Sequence, residues 1–250
     1  MEKRIIARGL VAGALGGVLA FLFARVFAEP VVGKAIDFED MHNADGSAMH
    51  DHGAELFSRG VQGNIGIGFG VLAFAVAMGA LFAVAFVVLY GRVGGVGART
   101  LSILLAGFAF GSVYVVPFVK YPPNPPAVGR AQSIGERTGL YLLMVLGSVA
   151  LAAAAVWLGR RLYGRLGVSS ATLTAAGAYM VAITLLMLVL PPVAETPEHF
   201  PADVLYDFRL YSLGTQLVLW ATIGLVFAPL AARLLGDRPG VSVTSQPAGA

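Results

Sequence analysis

The chain has no cysteine in 250 residues. Disulfides, thiolate metal sites, iron–sulfur clusters and a lipid-modified N-terminal cysteine are excluded for it. Charge is scarce as well: charged residues make up 12% of the sequence and apolar ones 57%. Soluble domains carry about 25% charged and 45–50% apolar residues, so a chain with several membrane spans is the class that fits. Histidine is rarer still, at four. None lies in a long apolar run, which excludes a bis-histidine haem at membrane depth. No Asp or Glu lies in such a run either, which argues against an intramembrane proton relay. There is no GxxxxGK[ST] nucleotide loop and no nucleophile with a histidine at membrane depth. The chain therefore reads as a non-enzyme, and energy for its work comes from a gradient or from another chain.

Six apolar runs are present: Ile5–Ala28, Gly63–Tyr90, Thr100–Val119, Thr138–Leu158, Ser170–Leu190 and Leu210–Leu235. Each reaches the roughly 20 residues that cross a bilayer. The expected fold is all-α: a polytopic membrane domain over 1–235, with six transmembrane helices as three hairpins. The tail, 236–250, has no apolar face to bury and is expected to be disordered. Gly9, Gly13 and Gly17 are four apart, as are Gly107 and Gly111, so each set shares a helix face that permits close contact. Val26-Phe27-Ala28 also has the small-residue spacing of a signal-peptidase site, the alternative to a retained first span.

Six spans place both termini on one side, and charge says which. The head, two arginine-bearing turns and the tail hold ten Lys/Arg against two acids. The other side holds seven against twelve. Basic excess marks the cytoplasm, so both termini are placed inside and the segments 29–62, 120–137 and 191–209 outside. The expected location is the bacterial inner membrane, with the lipid bilayer as partner. Basic residues do not gather on one amphipathic surface, so nucleic acid is not an expected partner.

The outward segments share a grammar. Each opens at proline (Glu29-Pro30, Tyr121-Pro122-Pro123, Pro191-Pro192), continues through acids and ends at Arg59, Arg137 or Arg209. Three parallel hairpin repeats with their outer ends at one mouth would produce this. So would ordinary helix stops and flanking charges. The middle segment, Lys120–Gly129, reads KYPPNPPAVG, with four prolines in five residues, and no helix can pass through it. Residues expected at such a mouth are Glu29, Glu39, Arg59, Gln62, Asn64, Lys120, Tyr121, Asn124, Arg137, Glu195, Arg209 and Gln216. Hydrogen bonding between helices explains Gln62, Asn64 and Gln216 equally well.

The first outward segment carries three of the four histidines. His42, Asp45, His50, Asp51 and His52 lie within a short polar stretch, and imidazole with carboxylate suits borderline divalent ions such as cobalt, nickel, zinc and copper. His199, a lone histidine beside Glu195 and Glu198 in the third segment, reads as a surface residue unless the three segments meet, in which case it joins them. Binding needs neutral imidazole, so it weakens as pH falls toward about 6.

KYPPNPPAVG, with Glu136-Arg137-Thr138, resembles the signature of the CbtA family of cobalt transporter subunits. The likeness extends over Glu29-Pro30, Glu39, His52 and Arg59. It continues through Pro192, Glu195, Pro197, Phe200-Pro201, Phe208-Arg209, Ser212-Leu213, Gln216 and Trp220. It implies transport of cobalt(II), feeding cobalamin synthesis, with no permanently bound cofactor. It also implies a small, one-span, His-bearing partner of the CbtB kind; homo-oligomers are a further option. The family is drawn with five spans, one fewer than the six runs here. The alternative function is a non-transporting membrane scaffold whose outer segments bind metal or a partner protein.

Overall fold

In lipid every backbone amide must find its partner within the chain, and a helix does this within one segment. The computed structural model describes residues 2–45 and 67–236, and among them the ordered elements are all helical. α1 (Glu2–Phe23) passes through a π-turn (Ala24–Ala28) into α2 (Glu29–Asp45). α3 is Ile67–Leu89, and α4 (Ala98–Ala109) runs through a second π-turn (Phe110–Val115) into α5 (Val116–Lys120). A single 3₁₀ turn, Ala131–Ser133, precedes α6 (Ile134–Val189), and α7 is Ala202–Leu235.

Five helical stretches are long and apolar enough to cross a membrane: Glu2–His42, Gly68–Leu89, Ala98–Lys120, Ile134–Val189 and Ala202–Leu235. The six expected runs thus appear as five, because the fourth and fifth share α6. That helix is not straight. Gly167, at φ 72° and ψ 167°, breaks its helical backbone. The Ser148 and Tyr179 hydroxyls lie 2.9 Å apart, whereas 31 residues of straight helix would separate them by about 45 Å. Met144 and Ile183 likewise share one buried cluster. The two halves fold back on each other at a residue that tolerates positive φ without a Cβ penalty.

Two expectations about segment ends need correction. Residues 29–45, expected as part of a polar loop opened by Pro30, are helical and continue the first span. Pro30 does not stop the helix, because the ladder widens just before it. The Glu29 N–H bonds Ala24 O, five residues back. The same device precedes Pro117, where the Val116 N–H bonds Gly111 O. Proline lacks an N–H and its ring crowds the carbonyl four residues back, and a π-turn moves that carbonyl aside. The third outward segment also shortens, since α7 begins at Ala202 and takes Phe208 and Arg209 onto a helix. His50, Asp51, His52, Arg59, Gln62, Asn64 and the tail from 237 lie outside the described residues.

The described residues form two compact units, one within 2–21, 67–107 and 218–236, the other within 22–45 and 108–217. In the first, the glycine ladder of α1 faces small residues of α3. A Cβ on Gly17 would lie 2.7 Å from the Ala75 Cβ, and one on Gly79 2.7 Å from the Gly13 Cα. Phe227 of α7 takes the rings of Phe82 and Phe86 edge-on, at 5.3 and 5.1 Å. In the second unit, Met144, Ile183 and Leu190 form one cluster; Val31, Ala35, Val128, Phe200 and Val204 form another.

Gly79→Ala therefore forces two backbones apart and should destabilise the protein by about 1–3 kcal/mol, read as an earlier heat-unfolding midpoint in detergent. Gly107→Ala, at a glycine with nothing within 4 Å, should stay within about 0.5 kcal/mol of the parent. Equal effects would refute the glycine-ladder interface.

Candidate functional site

The proline connector begins where α5 stops. Tyr121 precedes Pro122 and leaves the helical region, at φ −130° and ψ 74°, as a residue before proline must. Its phenol donates to Pro191 O at 2.7 Å, tying the connector to the next proline-rich segment. Asn124 Oδ1 accepts from Arg209 Nη2 at 3.0 Å, and Pro123 O faces Arg209 Nε at 3.4 Å. The chain then turns, with Val128 N–H on Pro125 O at 3.2 Å and Ala127 and Gly129 at positive φ. A Cβ on Gly129 would lie 2.8 Å from the Cζ of Arg137, so that glycine leaves room for the guanidinium.

Glu195 joins the two segments. Its Oε2 accepts from the Arg130 N–H at 3.2 Å and lies 3.4 Å from Arg137 Nε. A hydrogen bond from Ser133, then the Arg130 N–H and the charges of Arg137 and Arg130, outweigh partial burial and hold its carboxyl below the ordinary 4.5. Arg137 Nε is buried and makes no hydrogen bond; it has only the ion-pair distance to Glu195. Arg209 has neutral partners, and among the described residues no acid pairs with it.

Between these groups lies a cavity of about 420 Å³. Arg137, Arg209, Glu195, Asn124, Thr138 and Thr196 bring polar groups to its wall. Tyr114, Phe118, Tyr121 and Tyr141, with prolines 122 and 123, supply rings. The wall carries two guanidiniums and one carboxylate. Val128 of the connector, which also lines the cavity, packs with Val31 and Ala35 of α2 and with Phe200 and Val204. Phe38 of α2 meets Phe200 edge-on at 5.0 Å. Parts of all three segments assigned to the outer side therefore meet in this unit.

Of the residues expected at a mouth, Tyr121, Asn124, Arg137, Glu195 and Arg209 line the cavity. Glu29 pairs with Arg25 on the helix surface, Glu39 is exposed, and Lys120 and Gln216 do not reach the cavity wall. His42 is exposed on α2, its Nδ1 3.0 Å from Phe38 O, and its ring lies 4.0 Å from that of Phe38. His199 is exposed at φ 68°. Among the described residues no three of His, Asp and Glu stand together as a metal cluster. Asp45 closes α2, and the other expected ligands lie beyond the described residues. Tyr141, Phe118, Thr138 and Thr196 were not expected at the site. Tyr114, Phe118 and Tyr121 follow i, i+4, i+7 spacing, and Arg137 and Tyr141 are four apart; one-face periodicity would have found Phe118 and Tyr141, whereas Thr138 and Thr196 carry no such signal.

A family model described as probable cobalt transporter subunit (CbtA) matches residues 2–232. No curated protein and no solved structure matches the chain.

Because the Glu195 carboxyl is held low, its contribution to stability is complete above pH 4.5 and is lost as pH falls through the depressed value. Glu195→Gln should therefore unfold earlier than the parent near neutral pH. The gap in heat-unfolding midpoint should narrow in more acidic buffer. A gap constant with pH would refute the ionic tie.

Proposed function

The chain belongs to the CbtA family, and from that premise we propose that it is the membrane subunit through which a bacterial cell takes up a divalent cation, cobalt(II) foremost. The family match over residues 2–232 carries this reading. The chain is a multi-pass membrane protein of a transporter-subunit family, and its proposed location is the inner membrane. The reading takes α6 as two crossings hinged at Gly167, which makes six in all, with both termini cytoplasmic.

The stretch around His42, Asp45, His50, Asp51 and His52 captures the ion outside. With Nδ1 donating to a carbonyl, a neutral His42 ring offers Nε2 to a metal. His199 and Glu39 extend the same acidic, imidazole-bearing surface. The cavity beside the proline connector is the vestibule below it. Arg59, Gln62, Asn64, Lys120, Gln216 and Glu29 flank the entry. No cofactor stays bound; cobalt is cargo. The partner that the word subunit implies is a small one-span, His-bearing chain of the CbtB kind.

Radioactive cobalt accumulation in cells with and without the chain and this partner tests the reading, with nickel and zinc as competitors. The chain should raise uptake at limiting cobalt, and uptake should fall as external pH drops toward about 6. Replacing His42, His50 and His52 together with alanine should lower the initial rate by roughly tenfold, as loss of metal-site groups does. Unchanged uptake without the chain would leave the scaffold reading standing.

A further inference from the structure

The cavity has the wrong charge for a bare metal ion. Its wall presents Arg137 and Arg209 against the single carboxylate of Glu195. That carboxylate already receives the Arg130 N–H and faces Arg137. A dication entering here meets a net positive wall, and no group of metal ligands stands among the described residues. The donors point to an anion instead. Arg137 Nε is buried with no hydrogen bond and faces the Glu195 carboxylate at 3.4 Å, while Arg137 Nη2 donates to Arg130 O at 3.5 Å. Arg209 spends its charge on the neutral oxygens of Pro123 and Asn124. Guanidinium forks match carboxylates in geometry and charge.

Size and wall chemistry narrow the class. The space of about 420 Å³ falls in the range, roughly 300–1,000 Å³, that holds small organic ligands. It exceeds what a lone inorganic oxyanion fills. The rings of Tyr114, Phe118, Tyr121 and Tyr141 and the proline faces suit a carbon skeleton, while Thr196 brings a polar side chain for its remaining atoms; the Thr138 hydroxyl already donates to Ile134 O.

We propose that this cavity is a binding site for a small organic carboxylate and, resting on the transport reading above, that the metal arrives there as a carboxylate chelate rather than as a bare dication. The chelating anion brings the negative charge that the wall lacks. The arginines then select the complexed ion and repel the free one.

Titration calorimetry on the detergent-purified full chain tests the site, with sodium citrate, sodium sulfate and cobalt chloride as separate probes. Citrate should bind, sulfate should bind more weakly, and cobalt alone should not occupy the cavity. Arg209→Gln and Arg137→Gln should each weaken citrate binding roughly ten- to hundred-fold, the loss expected for a charge-assisted contact. Arg209→Lys keeps the charge without the fork, should bind at an intermediate level, and serves if Arg209→Gln fails to fold. Absence of citrate binding to the parent, or binding by folded variants equal to the parent, overturns the site.

Uptake separates this inference from the transport reading. Cobalt supplied with excess citrate should enter faster than cobalt chloride. Entry that is unchanged, or that falls in proportion to the chelated fraction, overturns the chelate inference and leaves cobalt transport intact. Citrate binding without uptake of either form removes the transport reading and upholds the carboxylate site.

Discussion

A backbone amide in hydrocarbon has no water to turn to, and this constraint shapes the chain around Pro30, Pro117 and the proline connector. Pro30 and Pro117 sit within helical stretches, and each is preceded by one turn in which the ladder reaches five residues back. The widening keeps the preceding N–H satisfied and moves the crowded carbonyl. Four prolines in five residues cannot be handled that way, so α5 ends at Lys120. The freed carbonyls then need donors from elsewhere. Pro123 O faces Arg209, and Pro191 O takes the phenol of Tyr121. The site follows from this need: irregular backbone attracts the guanidinium and hydroxyl donors that line the cavity.

Glu195 completes the arrangement electrostatically. It is partly buried, with its side chain 13% exposed, and a carboxylate drawn out of water is tolerable only when hydrogen-bonded and paired. Ser133, the Arg130 N–H and Arg137 meet that condition. In doing so they fix the segment after Pro191 against the segment after Pro126. Removing the carboxylate leaves two guanidiniums facing one cavity without an acid between them. The cavity therefore depends on the pairing as well as on the prolines.

Much of this was legible in the amino-acid order, and the misses have physical causes. The spacing of Gly9, Gly13 and Gly17 announced a close helix contact, and Ala75 and Gly79 supply its other side. KYPPNPPAVG announced a helix stop. Arg137, Glu195 and Arg209 were picked out by position beside the apolar runs, and the fold brings all three to one wall. Residues 29–45 were misread because polar composition and Pro30 outweighed periodicity. Val31, Ala35 and Phe38 already trace one helical face, and that face packs on Val128 and Phe200. The hinge at Gly167 was placed only within a turn of several residues, since glycine in a basic stretch does not reveal which residue takes positive φ. Of the aromatic wall, Tyr121 was picked out with the connector, whereas Phe118 and Tyr141 lie in apolar runs, where rings ordinarily serve packing.

Most residues of the connector motif act at one place in the fold. Tyr121 reaches Pro191, Pro123 and Asn124 hold Arg209, and Val128 enters the core with Val31 and Phe200. Gly129 yields the space that the Arg137 guanidinium occupies, and the next residue, Arg130, offers its N–H to Glu195. A side chain at position 129 would push Arg137 away from Glu195 as well as strain a backbone at φ 117°. The loss would then fall on the carboxylate tie rather than on the helices. A sequence so irregular is therefore not a spacer between two spans. Its prolines remove the local hydrogen bonds, and its remaining residues replace them with contacts to distant segments. That exchange turns a break in a helix into the wall of a cavity.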